Sequence, residues 1–354
     1  MRRLRTTIGL VAGLALATLA PGCGASSAAP PAAAATREDV VTLGAYSVVR
    51  EAFHEGLIPA FTERWRAEGR SVRFEESYNG SGAQARAIAA GFDADVAVLS
   101  LEGDMDLLVK AGVVPKTWNA GPDRGMATRS LVVIGVRDGN PKAIEDWGDL
   151  ARPGVGVLYP DPKTSGGARW NIGAIWGAGL VGWDRPAGST PDRAAARALL
   201  GKVQANVVNM DSSGRQSLAT FERGTGDAVV TYENEVLLRK KFGARPIPYV
   251  TPPATLQIES PAAIVEASVR RHNNRAVVEA FFAFLKSADG QSILAEYGFR
   301  PTIPGLPTPG LPPLPARLFT IRDLGGWPAV KKTVFDAGGD WPATFTDRKR
   351  GPRP

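Results

Sequence analysis

Short apolar runs alternate along this chain with longer stretches whose apolar residues recur at helical spacing. Residues 40–43 predict a first strand, and 51–66 a helix with Phe53, Leu57, Phe61 and Trp65 four positions apart. A second strand follows at 72–75, a helix at 83–90 opened by Gly80-Ser81-Gly82, and a third strand at 95–99. A second set begins at 131–136 and continues through 156–159 and a helix after Gly167. Strands at 203–209 and 228–231 bracket a helix at 217–223. After a turn through 249–253, residues 275–287 predict an amphipathic helix with Val277, Val278, Phe281, Phe282 and Leu285 inward. The last fifty residues, rich in Pro and Gly, read as a strap over the surface. Strands alternating with helices predict α/β lobes on mixed, mostly parallel sheets flanked by helices.

The N-terminus adds a destination. Arg2, Arg3 and Arg5 precede an apolar stretch at 8–20, too short for a stable bilayer span, which reads as an export signal. It runs into Leu19-Ala20-Pro21-Gly22-Cys23, which resembles a bacterial lipoprotein box. The expectation is a signal peptide at 1–22, lipidation and membrane anchoring at Cys23, and a flexible Ser/Ala/Pro linker at 23–37. Cys23 is the only cysteine, which excludes an intramolecular disulfide. The signal carries three arginines and no acid, so without it the net charge of +7 falls to +4. No basic stripe with interleaved aromatics argues for nucleic acid.

Three Gly/Ser turns, 79–82, 164–167 and 212–215, each follow a strand-like run and precede a helical one. The first N–H groups of a helix have no intrahelical partner and carry the positive end of its dipole, so such turns suit anions. Catalytic readings are thin by comparison. The two histidines, His54 and His272, lie far in sequence from the serine turns, and no G-x-S-x-G elbow is present. No His or Cys pair has metal-ligand spacing, so neither metal nor cofactor is expected. Glu233 and Glu235 read as a solvated helix start, and Trp170, Trp176 and Trp183 as core and lobe surface.

The runs Arg137-Asp138-Gly139-Asn140-Pro141-Lys142, Asp146-Trp147-Gly148-Asp149-Leu150 and Pro153-Gly154-Val155 lead into Pro160-Asp161-Pro162-Lys163-Thr164-Ser165-Gly166-Gly167-Ala168-Arg169-Trp170-Asn171. Together they resemble the sulfate/thiosulfate-binding proteins of bacterial ABC importers. So do Gly80-Ser81-Gly82-Ala83-Gln84-Ala85, Tyr232-Glu233-Asn234-Glu235 and Tyr297-Gly298-Phe299-Arg300-Pro301; the likeness runs from about 40 to about 339. The Gly-Phe-Arg-Pro element is shared with many two-lobed binding proteins. The resemblance implies a type II periplasmic-binding fold with the anion in the interlobe cleft. Residues 38–124 and 238–315 would form lobe 1, 125–237 lobe 2, and 316–354 a strap with a basic tail. Backbone N–H groups at Ser81, Ser165, Gly166, Gly167 and Gly214 would hold the dianion, with the Ser165 hydroxyl. Tyr232 falls where the family has an indole donor, and Ser47, beside Tyr46, where it has a carboxylate. Arg169 and Arg215 would orient turn carbonyls one layer behind the ligand. The implied protein is a monomer, not an enzyme, that passes sulfate or thiosulfate to a permease. Molybdate, tungstate, phosphate or a small carboxylate are the alternative ligands. An exported hydrolase using Ser165, or a structural lipoprotein, are the rivals of another class.

Overall fold

Strand β1 (Asp39–Tyr46) is buried on both faces over its second half, as a central strand between helical layers must be. The structure, a computed structural model, describes residues 38–186 and 188–350, with side chains to 345. The export signal, Cys23, the linker up to residue 37 and the last four residues lie outside the described residues. β1 pairs in parallel with β2 (Val72–Asn79) and β3 (Val96–Val98). In the second half, β5 (Val157–Leu158) pairs in parallel with β6 (Val207–Asn209) and β7 (Ala228–Tyr232).

Two long strands join these halves. β4 (Met126–Val136) and β9 (Ala254–Ile264) pair with each other in antiparallel register over 126–131 and 257–261. Beyond that ladder β9 pairs with β3, and β4 with β7 and with β8 (Tyr249–Val250). The sheet order is therefore β2-β1-β3-β9-β4-β7-β5-β6, with β10 (Arg317–Phe319) beside β9. Parallel pairing is confined to the outer strands and β10, because each crossing strand enters the next half against the local direction. Residue 238 lies inside the helix Glu233–Lys241, and β9 is the later strand that pairs back with β3.

Most sequence-predicted elements are present, with informative differences. The helical run over 50–67 contains a π turn at Phe53–Leu57. Strict four-residue spacing drifts by about 40° per step on a 3.6-residue helix. The wider π turn absorbs that drift over the first step, from Phe53 to Leu57, and Phe53, Leu57, Phe61 and Trp65 are all buried. Residues 203–205 end the helix Arg193–Ala205 rather than opening a strand, which is limited to β6. The predicted surface strap instead folds into Gly326–Val330, a π turn and Asp340–Arg350. It buries Trp327, Val330, Val334 and Trp341. Buried Asp340 accepts from the Trp176 indole (2.9 Å) and pairs with Arg193 (3.1 Å), which pins this segment to the second half.

At the opposite end of β1 and β3, His272 bridges Asp95 (2.7 Å) and Asp93 (2.9 Å). Partial burial pulls its pKa down, but the two carboxylates outweigh this and leave it raised. A raised histidine stabilises the fold most below its unfolded value of about 6.5, and loses that contribution as pH rises through the folded value. His272→Gln is therefore expected to lower the urea midpoint more at pH 5.5 than at pH 9. An equal loss at both pH values would contradict the charged clamp.

Candidate functional site

The three Gly/Ser turns lie at the carboxyl ends of β2, β5 and β6, where open α/β sheets place ligands. They also meet. A Cβ on Gly80 would stand 2.8 Å from the Thr164 carbonyl oxygen and 3.0 Å from that of Ser212, so the first turn touches the other two through backbone. The Thr164 hydroxyl donates to the Ser212 carbonyl at 2.9 Å, closing the triangle.

Each turn opens a helix of at least nine residues: Ser81–Ala89, Gly166–Val181 and Gly214–Glu222. Ser165 and Ser213 cap the latter two, accepting from the N–H groups of Ala168 and Gln216 at 3.3 Å. The N–H groups of Ser81, Gly82, Gly166, Gly167, Gly214 and Arg215 donate to no acceptor among the described residues. Free donors at three neighbouring helix dipole ends are an arrangement chemically suited to an anion.

Tyr232, the last residue of β7, closes the set. Its ring lies 3.6 Å from a Cβ placed on Gly167, and its hydroxyl pairs with the Ser100 hydroxyl at 2.7 Å. Burial, with Tyr46 beside it, pushes this phenol well above its ordinary pKa, so it remains a proton donor. Tyr46 stands one step further in, donating to the Ser260 hydroxyl at 3.1 Å, and burial raises it to about 12. Ser47 is half-buried and lines an open groove with Arg50, Glu51, Asn79 and Ser213.

Three expectations change. The Ser165 N–H is not free, because it donates to the Asp161 carbonyl at 2.9 Å and closes the turn; only its hydroxyl proton remains available. Arg215 does not orient turn carbonyls. It forks onto Glu51 (2.8 and 2.7 Å) and reaches Glu235 (2.8 Å), tying the second half to the helical run after β1. Glu233 and Glu235 do not form a solvated helix start; both are fully buried, each held by an arginine. Burial raises the pKa of Glu235, with Arg215 opposing. Arg169 does bond a turn carbonyl, that of Pro162, at 3.2 Å.

Several residues had no sequence signal. The Ser81 hydroxyl donates to buried Asp104 at 2.5 Å and accepts from the Ser100 N–H at 2.8 Å, so it is committed in both directions. Burial raises Asp104, with the Ser81 bond opposing. Ser100 lies just beyond β3, and its position at a strand end is the only cue the sequence offered. Neither histidine bonds to Ser165: His54 holds Glu76, and His272 holds Asp93 and Asp95.

The model of the family described as bacterial extracellular solute-binding protein matches residues 41–300. The chain belongs to that family. The solute-binding protein is 38% identical over 304 residues to a sulfate-binding protein of Synechococcus elongatus, covering 84% of each chain. It is 35% identical to a thiosulfate-binding protein of Pseudomonas aeruginosa, covering 96% of this chain and 97% of that one. The solved sulfate-binding protein SubI of Mycobacterium tuberculosis superposes with a TM-score of 0.76 at 37% identity, covering 84% of this chain and 100% of that one. The fold is thus the two-lobed α/β architecture of periplasmic binding proteins, and these relatives are binding proteins rather than enzymes.

Proposed function

We propose that this protein captures sulfate or thiosulfate outside the cytoplasm and delivers it to the permease of an ABC importer. The observation that carries the reading is the contact between three turns that each open a helix with free N–H groups, together with a buried phenol beside Gly167 of the second turn. A shell of donors suits a fully ionised dianion. A ligand that keeps a proton would need an acceptor, and an unmatched buried group costs about 1–3 kcal/mol. Ser81 brings only its N–H, since its hydroxyl is occupied. Ser165 brings its hydroxyl, Gly166, Gly167 and Gly214 their N–H groups, and Tyr232 its O–H.

Lobe 1 would comprise 38–124 and the segment after β9, and lobe 2 the residues between the crossings; closure about β4 and β9 would seal the anion in. Cys23 would carry the lipid that keeps a monomer at the membrane, with 23–37 as its tether. Relatives with sulfate and with thiosulfate in their names support this ligand pair. The Tyr232–Ser100 hydroxyl pair, each member able to accept as well as donate, favours a protonated oxyanion such as hydrogen phosphate as the second reading.

Titration calorimetry of the protein with sulfate, thiosulfate, molybdate and phosphate tests both readings. Heat with either of the first two is expected; binding of phosphate alone would move the assignment to the second. Ser165→Ala is expected to weaken sulfate binding by about 1–3 kcal/mol, the scale of one hydrogen bond to a charged group. Wild-type affinity in that variant would remove Ser165 from the shell.

A further inference from the structure

The Gly-Phe-Arg-Pro element at 298–301 makes none of the contacts assigned to the ligand, yet it is built onto the residue that presents the phenol. Glu233 directly follows Tyr232 and opens the helix Glu233–Lys241. Its buried carboxylate is gripped by both prongs of Arg300, at 2.7 and 2.8 Å. Arg300 is itself fixed from two other sides. Its guanidinium donates to the Pro312 carbonyl at 2.9 Å, and its backbone exchanges bonds with Arg129 of β4 at 3.1 and 2.8 Å.

The corner also lies flat against the helix. Gly298 has φ +83°, and a Cβ there would stand 3.0 Å from Leu237 Cβ and 3.1 Å from Asn234 Cα. Tyr232 is paired with Val132 at the last rung of the β4–β7 ladder. The phenol is thus set by the ladder on one side and by the Glu233–Arg300 fork on the other. Its hydroxyl is at the far end of a rigid ring, so a small turn of the backbone moves the donor by a larger distance.

We infer that Arg300 is a positioning residue for anion capture: through its forked grip on Glu233 it fixes where the Tyr232 hydroxyl is presented. The inference rests on the functional reading above, in which Tyr232 touches the anion. Lysine at 300 would keep the charge but lose the planar fork.

The test is a double-mutant cycle by calorimetry with sodium sulfate on wild-type protein, Arg300→Lys, Tyr232→Phe and the double variant. Arg300→Lys is expected to weaken binding about fivefold in the wild-type background and less than about twofold in the Tyr232→Phe background. Equal losses in both backgrounds, no loss from Arg300→Lys, or no loss from Tyr232→Phe would each overturn the inference. A generally loosened fold would lower affinity whether or not the phenol is present, so the cycle separates positioning from bulk stability. Glu233→Gln, which keeps the shape and removes the charge, runs the same cycle should Arg300→Lys fail to fold. Wild-type protein that binds neither sulfate nor thiosulfate would overturn the functional reading and this inference together; binding with additive losses would overturn this inference alone.

Discussion

Gly80→Ala is expected to weaken sulfate binding by about tenfold or more, a loss of ~1.4 kcal/mol upward, while leaving the unliganded protein nearly as stable as before. The backbone at Gly80, φ −59° and ψ 135°, is open to alanine, so the substitution does not strain the turn itself. The difficulty lies across the site. The added methyl would sit 2.8 Å from one backbone oxygen and 3.0 Å from another, and neither can rotate away as a side-chain end would. The three turns would have to separate, drawing the N–H groups of one helix away from those of the other two. Sulfate titration paired with a thermal melt of the free protein checks both halves of the expectation. Unchanged affinity would mean that closure does not depend on this contact.

The second large effect concerns stability. Arg215→Met is expected to destabilise the fold at neutral pH by about 3–5 kcal/mol, the range for leaving one member of a buried pair without its partner. Glu235, 1% exposed, would keep its charge with no cation against it, whereas Glu51 is partly wetted. Glu235 already titrates high because it is buried, and losing Arg215 pushes it higher. A carboxylate whose folded pKa is raised destabilises the protein above that pKa, so the deficit should shrink as pH falls through it. Adding Glu235→Gln should recover most of the loss at pH 7.5. Urea unfolding of the single and double variants at pH 7.5 and 5 provides the check. A double variant as unstable as the single one would assign the damage to lost packing instead.

What the sequence revealed follows from how far each signal reaches. The runs inside β1, β3, β4 and β7 were legible because strands in the interior of a sheet covered by helices are apolar almost throughout. β9 was not, because Gln257, Glu259 and Ser260 interrupt its apolar residues and Pro261 follows them. Two of those polar residues are satisfied by distant partners: Glu259 by Arg129 and Arg322, Ser260 by Tyr46. Val203, Val207 and Val208 merged a helix end with a strand, since β-branched residues at a boundary suit either. In the site, the turns were readable from their Gly and Ser content alone. Asp104 and Glu51 were not, for their partners Ser81 and Arg215 lie 23 and 164 positions away. Glu233 and Glu235 look like solvent residues until the arginines that neutralise them are brought in from elsewhere in the chain.

The two crossing strands carry one more consequence. β9 supplies rungs to the first half through β3, β4 supplies them to the second through β7, and their own shared ladder lies between. Neither lobe therefore possesses a complete set of backbone partners without the other. Melting of one half would fray the strands that hold the second, so the described body should lose its structure in a single cooperative step, as one thermodynamic unit that hinges without being divisible.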